Sequence, residues 1–251
     1  MRAWPVPGDV TDADPVALSA EFLLAVRRGE STVGPAADLA DLGDRELAAG
    51  LDTDPARLAF WTNVYNAATQ RALAADPSRY DNRRQFFTAD LVAVAGRPLS
   101  LDDIEHAILR RSYHKLALGY LRVPGPLRSA FADRHAPDER DPRVHFALNC
   151  GAESCPPVAA YTREAVDEQL DLATRGYLEE HVDYDPAAGT ALVPRVLLWF
   201  RGDFGGKRGV YDFLRRYGLI PRTVTPSLSY REWDWSFNPG AYAEREQAAQ
   251  R

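Results

Sequence analysis

The spacing of apolar residues predicts that most of the ordered chain is helical. Apolar positions recur every three to four residues over several segments, as on the buried face of a helix. Pro55 suits the first turn of one such helix, because a proline there removes no internal hydrogen bond. Ser100 and Asp103 form a capping box ahead of another. The predicted helices cover residues 14–30, 44–77, 101–121, 163–181 (capped by Thr162) and 209–219 (closed by Gly218).

Shorter segments have the pattern of strands. Residues 86–100 and 190–200 are predicted to be extended, and Pro194 indicates an edge or a bulge in the second. In residues 144–149 apolar side chains alternate with His145, Ala147 and Asn149, which predicts a half-buried strand. The combination predicts an α+β fold: a single, mostly helical domain with a small mixed or antiparallel sheet.

Composition and charge indicate which kinds of molecule the protein is unsuited to bind. The chain has 251 residues, of which 45% are hydrophobic, and its formal net charge is -6. This charge disfavours binding to nucleic acids or anionic membranes, which requires concentrated positive charge. The N-terminal residues lack the apolar stretch of a secretory signal, and no apolar run approaches the roughly 20 residues of a membrane span. We therefore expect a cytoplasmic protein with no nucleic-acid or membrane partner, and no motif indicates a cofactor.

Two asparagines in the second helical segment need hydrogen-bonding partners. Asn63 and Asn66 are three residues apart and point to a common side of a largely apolar helix. A buried amide without a partner would cost about 1–3 kcal/mol. These side chains therefore either clamp a neighbouring loop or line a pocket.

Three polar residues of the following segment share a helical face. Asp102, His106 and Arg110 are spaced at i, i+4 and lie opposite Ile104 and Ile108. The face is either solvated, with weak ion pairs, or turned into a cleft. In a cleft, an imidazole supported by an aspartate is a credible general base.

The stretch HFALNCGAESCPP, residues 145–157, contains both cysteines of the chain. Cys150 precedes a turn at Gly151, where many enzymes present a nucleophile or an oxyanion-binding amide. A cysteine nucleophile needs a nearby imidazole or helix N-terminus, and His145 and His106 are the candidates for that imidazole. The alternative is structural, because a free cysteine also packs as a small hydrophobic residue.

Zinc is a further alternative for the same stretch. The spacing H-x4-C-x4-C supplies His145, Cys150 and Cys155 as ligands, and His106 could be the fourth. Structural zinc sites usually have cysteines on tight C-x2-4-C turns, and the Pro156–Pro157 pair after the second thiol is not typical of them. We therefore assign no metal ligands from the sequence.

Five fragments taken together resemble the domain of unknown function 547 family. They are FWTNVYNA, PLSLDDIEHAILR, DPRVHFALNCGAESCPP, VPRVLLWFRGDFG and YREWDWSFN, and they run in that family's order. The resemblance implies a single soluble domain at residues 51–240, after a variable helical segment at 1–50 and before a polar tail at 241–251. It names no reaction. The positions that match by motif are Trp61, Asn63, Tyr65, Asn66, Glu105, His106, His145, Cys150, Gly151, Ser154, Pro156 and Asp203.

The sequence supports an enzyme as the leading hypothesis. In it Cys150 is the nucleophile, with Cys155 as the alternative, and His106 or His145 is the base. The reaction is hydrolysis or acyl transfer at an amide or ester of a small molecule or peptide. The predicted substrate-binding residues are Asn63, Tyr65, Asn66, Glu105, Asn149, Gly151 and Ser154. A non-catalytic ligand-binding or protein-interaction domain is the second hypothesis, and a zinc-supported site is the third.

Overall fold

The computed structural model describes residues 14–243. Helices predominate in this part of the chain, together with two small sheets. The α-helices are α1 (Pro15–Arg28), α2 (Val33–Asp41), α3 (Asp44–Gly50), α4 (Asp54–Ala75), α5 (Arg83–Thr88), α6 (Ala130–His135), α7 (Val166–His181), α8 (Val196–Trp199) and α9 (Gly206–Arg216). The 3-10 helices are Pro77–Asn82, Gly125–Leu127 and Pro142–Phe146, and Asp103–Leu109 is a π-helix.

Helix α4 is the central element. Thr53 caps it by accepting a hydrogen bond from the backbone N–H of Ala56 at 3.4 Å, and Pro55 lies in its first turn, as predicted. Most residues of α4 are buried, polar ones included. Helix α1 packs along it and contributes Phe22 and Leu23 to the same core. The described part of the predicted N-terminal segment therefore shares the core of the main domain.

The strands form one antiparallel and one mixed sheet. The strands are β1 (Val92–Val94), β2 (Arg97–Leu99), β3 (Asp183–Asp185), β4 (Thr190–Val193) and β5 (Ser227–Tyr230). A tight turn joins β1 to β2, whereas β4 pairs antiparallel with β3 and parallel with β5. The predicted α+β class, mostly helical with a small sheet, is confirmed.

The strand predicted at residues 144–149 is wrong. Asp141 accepts a hydrogen bond from the backbone N–H of Arg143 at 2.9 Å and starts a 3-10 helix, which ends at Phe146. All six residues of the predicted strand are buried, including His145 and Asn149. The alternating polar side chains therefore belong to residues with buried hydrogen-bonding partners, and they do not form a solvent-exposed face.

Other predicted elements are shorter than their patterns suggested. The helix predicted at 101–121 ends after the π-helix, because Arg111 and Ser112 adopt positive φ angles of 53° and 62°. The segment predicted to be extended at 86–100 begins inside α5, and the one at 190–200 leaves β4 at Pro194 and becomes α8. Helix α7 starts at Val166, so the side chain of Thr162 does not cap it.

The helix predicted at 209–219 is confirmed as α9, and Gly218 follows it with a φ of 74°. The predicted tail lies outside the described residues except for residues 241–243, where the backbones of Ala241 and Ala243 bond to Val158. Among residues 14–243, no helix is both long and apolar enough to cross a membrane.

Candidate active site

A cavity of about 330 Å³ lies where α4, the π-helix, α8 and the stretch after α6 meet. Its polar lining consists of Tyr65, Asp102, Glu105, His106, Lys115, His145, Cys150 and Cys155. Its apolar lining consists of Phe87, Leu116, Leu148, Val196, Trp199, Phe200, Trp233 and Trp235. Two thiols, two imidazoles and two half-buried carboxyl groups therefore face a largely aromatic space.

The π-helix presents two of the polar groups. Ser100 and Asp103 form the predicted capping box, with the backbone N–H of each bonded to the side chain of the other at 3.0 and 3.1 Å. Farther along, the backbone N–H of Arg110 bonds the carbonyl of Glu105 at 2.9 Å, the i to i+5 contact of a π-helix. π-Turns of this kind are frequent at functional sites. Glu105 and His106 both lie in this widened turn.

His106 is a neutral side chain with charged neighbours on both sides. Its Nδ1 accepts a hydrogen bond from Nη1 of Arg110 at 3.0 Å, and its Nε2 faces Asp102 at 3.6 Å. Burial and the charge of Arg110 lower the pKa of His106 well below its ordinary value. The predicted grouping of Asp102, His106 and Arg110 therefore exists, but the basic nitrogen is already bonded to a guanidinium.

Glu105 is the group best suited to exchange a proton near neutral pH. Burial raises its pKa to about 7, and the charge of Arg110 opposes the rise. The hydroxyl of Tyr65 donates to Oε2 of Glu105 at 3.5 Å. Burial, together with the nearby carboxylate, raises the pKa of Tyr65, so the phenol keeps its proton.

The two cysteines form a pair, which we call the dithiol. Their Sγ atoms are 2.8 Å apart, and the backbone N–H of Cys150 donates to Sγ of Cys155 at 3.1 Å. Burial opposes ionisation of Cys155, but the hydrogen bonds from Cys150 outweigh it and lower its pKa. The same thiol–thiol hydrogen bond, with burial, raises the pKa of Cys150. These hydrogen bonds therefore favour Cys155 over Cys150 as the sulfur that ionises first.

Asn66 and Asn149 hold the chain that carries the dithiol. Asn66 donates to the carbonyl of Ala147 and accepts from the backbone N–H of Asn149, both at 2.9 Å. The side chain of Asn149 bonds the N–H of Gly151 at 2.9 Å and the carbonyl of Pro156 at 2.8 Å, and so spans the turn. Both asparagines are fully buried. Of the two alternatives that the helix pattern left open, a clamp or a pocket lining, Asn66 forms the clamp.

Several predicted substrate contacts lie behind the cavity and not in its lining. Asn63 is bonded to both backbone groups of Tyr161 at 2.8 Å, and the Oγ of Ser154 accepts the backbone N–H of Asp234 at 2.8 Å. With Asn66, Asn149 and Gly151, these residues support the wall through their hydrogen bonds. The predicted residues that do line the cavity are Tyr65, Glu105, His106, His145, Cys150 and Cys155.

A buried ionic cluster anchors His145. Asp203 accepts hydrogen bonds from Nε2 of His145 at 2.9 Å and from Nε of Arg110 at 2.6 Å, and Arg140 also donates to it. The imidazole stacks on Phe200 with the ring centroids 4.2 Å apart. Burial lowers the pKa of His145, against the opposing effect of Asp203, so this ring is neutral and fixed in place.

Sequence reasoning missed the aromatic side of the cavity. Trp199, Trp233 and Trp235 contact one another at centroid distances of 5.4 to 6.1 Å. The only signal was the concentration of tryptophan in LLWF and REWDW, and a tryptophan alone does not distinguish a core from a cavity wall. The zinc alternative gains no support, because no three His, Cys, Asp or Glu side chains in residues 14–243 are grouped to hold a metal ion.

The fold and this cavity define an α+β protein with a thiol and carboxyl site. The model of a family described as "Protein of unknown function, DUF547" matches residues 49–178, more than half of the chain. The chain belongs to that family, and the matched region contains every predicted site residue from Asn63 to Cys155. No curated protein and no solved structure matches the chain significantly.

Proposed function

We propose that this protein is a cysteine-dependent hydrolase or acyl transferase that acts on an ester or amide. The observation that carries the proposal is the single cavity shared by the dithiol and Glu105. Covalent catalysis needs a thiolate, and proton transfer is efficient when the pKa of the donor lies near the working pH. The residues lining the cavity offer both.

Cys155 is the nucleophile in this mechanism, which reverses the order of the two cysteines expected from the sequence. Its sulfur receives hydrogen bonds from the thiol and from the backbone N–H of Cys150, and these stabilise a thiolate. Cys150 then acts as a hydrogen-bond donor to that thiolate. An imidazole is not required for ionisation, and His106 and His145 hold the cavity in shape through Arg110 and Asp203.

Glu105 transfers the protons in both half-reactions. The Cys155 thiolate attacks the carbonyl carbon and a C–S bond forms, while the electron pair moves to oxygen. When the tetrahedral intermediate collapses, the bond to the leaving alcohol or amine breaks, and protonated Glu105 gives that group a proton. The carboxylate then takes a proton from water or an acceptor, which attacks the thioester and releases the thiolate. A pKa of about 7 allows Glu105 to serve in both protonation states.

Tyr65 and the aromatic walls suggest which substrates suit the cavity. The phenol of Tyr65 keeps its proton and lines the cavity, so it can donate a hydrogen bond to the oxyanion. The tryptophans and Phe200 favour an acyl group with an aromatic or other apolar part. The mechanism needs free thiols, which a reducing compartment such as the cytoplasm maintains.

Burst kinetics test the proposal. The wild-type protein is mixed with 4-nitrophenyl phenylacetate and 4-nitrophenyl acetate, and nitrophenolate release is followed by stopped flow. We expect a burst of about one nitrophenolate per protein, faster for the aromatic ester, with the acyl group found on Cys155 by mass spectrometry. C155S should lose the burst. E105Q should retain acylation by this activated ester, whose leaving group needs no proton, and turn over more slowly.

The matched control is C150A, which keeps Cys155 but removes the side-chain hydrogen-bond donor to its sulfur. It should acylate more slowly, because the thiolate loses a hydrogen bond. No burst from the wild type, or the same burst from C155S, would reject the cysteine mechanism and favour the binding-domain hypothesis.

A further inference from the structure

The two sulfur atoms of the dithiol lie closer together than their roles as nucleophile and hydrogen-bond donor require. The two Sγ atoms are 2.8 Å apart, about 0.8 Å longer than a disulfide bond. The chain has only two cysteines, so no other intramolecular disulfide is possible.

Backbone hydrogen bonds from a distant segment fix the turn between the two cysteines. The N–H groups of Glu153 and Ser154 donate to the carbonyls of Ser236 and Asp234 at 2.8 and 3.2 Å. The N–H of Asn238 donates to the carbonyl of Gly151 at 2.9 Å. Gly151 itself has a φ of 88°, and a Cβ there would lie 2.5 Å from Cδ1 of Leu73, so any larger residue would be strained and would have to displace Leu73. The backbone of this turn therefore cannot open and carry the two cysteines apart without breaking its hydrogen bonds to residues 234–238.

We propose that Cys150 and Cys155 are a redox modification site, at which a hydroperoxide oxidises the dithiol to an intramolecular disulfide. Hydrogen peroxide is small enough to enter a cavity of about 330 Å³ that both sulfurs line. When one of two thiols this close is oxidised, the other reacts with it before further oxidant arrives, because the fixed geometry raises their effective concentration.

The oxidation proceeds in two steps. The thiolate of Cys155 attacks one oxygen of the peroxide, so an S–O bond forms, the O–O bond breaks, and hydroxide leaves and is protonated to water. The sulfur of Cys150 then attacks the resulting sulfenic acid. The S–S bond forms, the S–O bond breaks, and the second water leaves with the proton of Cys150. Two thiols lose two electrons, the peroxide gains them, and a small thiol reverses the reaction by exchange.

Oxidation would also remove the nucleophile, and this consequence alone rests on the proposed function. The disulfide itself depends only on the geometry of the two thiols. Its test therefore uses a chemical readout and no enzymatic substrate.

The experiment compares the same chain folded and unfolded. Native protein and protein in urea are treated with equal doses of hydrogen peroxide, quenched with an alkylating agent and analysed by intact mass. The disulfide appears as the loss of two hydrogens and of both alkylation sites, reversed by dithiothreitol. We expect the ratio of disulfide to oxygen adducts to be roughly tenfold higher in the native protein than in urea.

The single variants complete the test. C150S keeps Cys155 but has no resolving thiol, so it should accumulate oxygen adducts on Cys155 that dithiothreitol does not remove once they reach the sulfinic state. A native ratio no higher than that in urea would overturn the proposal, and so would native thiols that stay unmodified at doses that oxidise the unfolded chain. A disulfide that forms in a protein without a nitrophenolate burst would leave this inference standing and reject the proposed function alone.

Discussion

Replacing Asp203 with asparagine should cost far more than the loss of an ordinary ion pair. The Asp203 and Arg110 side chains are 2% and 1% exposed, and the carboxylate receives charged hydrogen bonds from Arg110 and Arg140 together with one from His145. Asparagine keeps the shape but leaves the Arg110 charge buried without its counter-charge. Breaking a buried pair in this way costs about 3–5 kcal/mol. Most domains are stable by only about 5–15 kcal/mol in total, so D203N should be severely destabilised.

Urea unfolding at pH 7 measures the cost, with D212N as the matched control. Asp212 also pairs with an arginine, Arg215 at 2.9 Å, but its side chain is 59% exposed, so its loss should change the free energy of unfolding by less than about 1 kcal/mol. A cost for D203N as small as that for D212N would refute the role assigned to the buried cluster.

The pH dependence gives an independent check on the same residue. Burial alone would raise the pKa of Asp203, but the hydrogen bonds from His145 and Arg110 hold it well below its ordinary value. A carboxylate with a lowered native pKa stabilises the fold fully above its unfolded pKa of about 3.9. This stabilisation is lost as the pH falls from there towards the much lower native pKa. The difference between wild type and D203N should therefore shrink below about pH 4.

Three further predictions concern the site and its supports. Because the native pKa of Glu105 is raised to about 7, the free energy of unfolding of the wild type should fall as the pH rises from about 4.5 to 7. In urea titrations at pH 5 and 8, the decrease between the two pH values should be smaller in E105Q than in the wild type by up to about 3 kcal/mol. N66A should lower the free energy of unfolding by about 2–4 kcal/mol, because it leaves two buried backbone groups unpaired, and a loss below 1 kcal/mol would contradict the clamp. G151A should lower the free energy of unfolding by about 1–3 kcal/mol more than G189A does. Both glycines have a positive φ, but only a Cβ at residue 151 would meet another side chain, so equal losses would argue against close packing there.

Sequence patterns identified the residue types of the site better than their arrangement. The sequence indicated that Asn63 and Asn66 need hydrogen-bonding partners, either in a neighbouring loop or in a pocket. In the structure both side chains bond backbone groups of neighbouring segments. The partners are the backbone groups of Tyr161 and Ala147, which are 98 and 81 residues away along the chain. No local pattern carries such pairings, so the choice between a clamp and a pocket could not be made from the helix alone.

The two largest misassignments share a physical cause. Residues 144–149 alternate because His145 and Asn149 have buried polar partners, and alternation cannot distinguish a buried partner from solvent. The helix predicted at 101–121 ends early, where the Arg110 side chain bonds Asp203, which lies 93 residues farther along the chain. In both places a buried polar network outweighs the local preference of the chain, and such networks are common at functional sites.

The pH dependence of cysteine alkylation tests the central claim most directly. Each thiol is labelled with iodoacetamide across a pH series, and each rate is followed by mass spectrometry in wild type, C150A and E105Q. The account predicts that Cys155 reacts with an apparent pKa below the ordinary value of about 8.5, and that C150A raises this pKa because it removes a hydrogen-bond donor. E105Q should lower it further, because the Glu105 carboxylate raises the pKa of the thiol. Two inert thiols, or a pKa of Cys155 that is unchanged in C150A, would contradict the proposal that the dithiol holds a reactive thiolate.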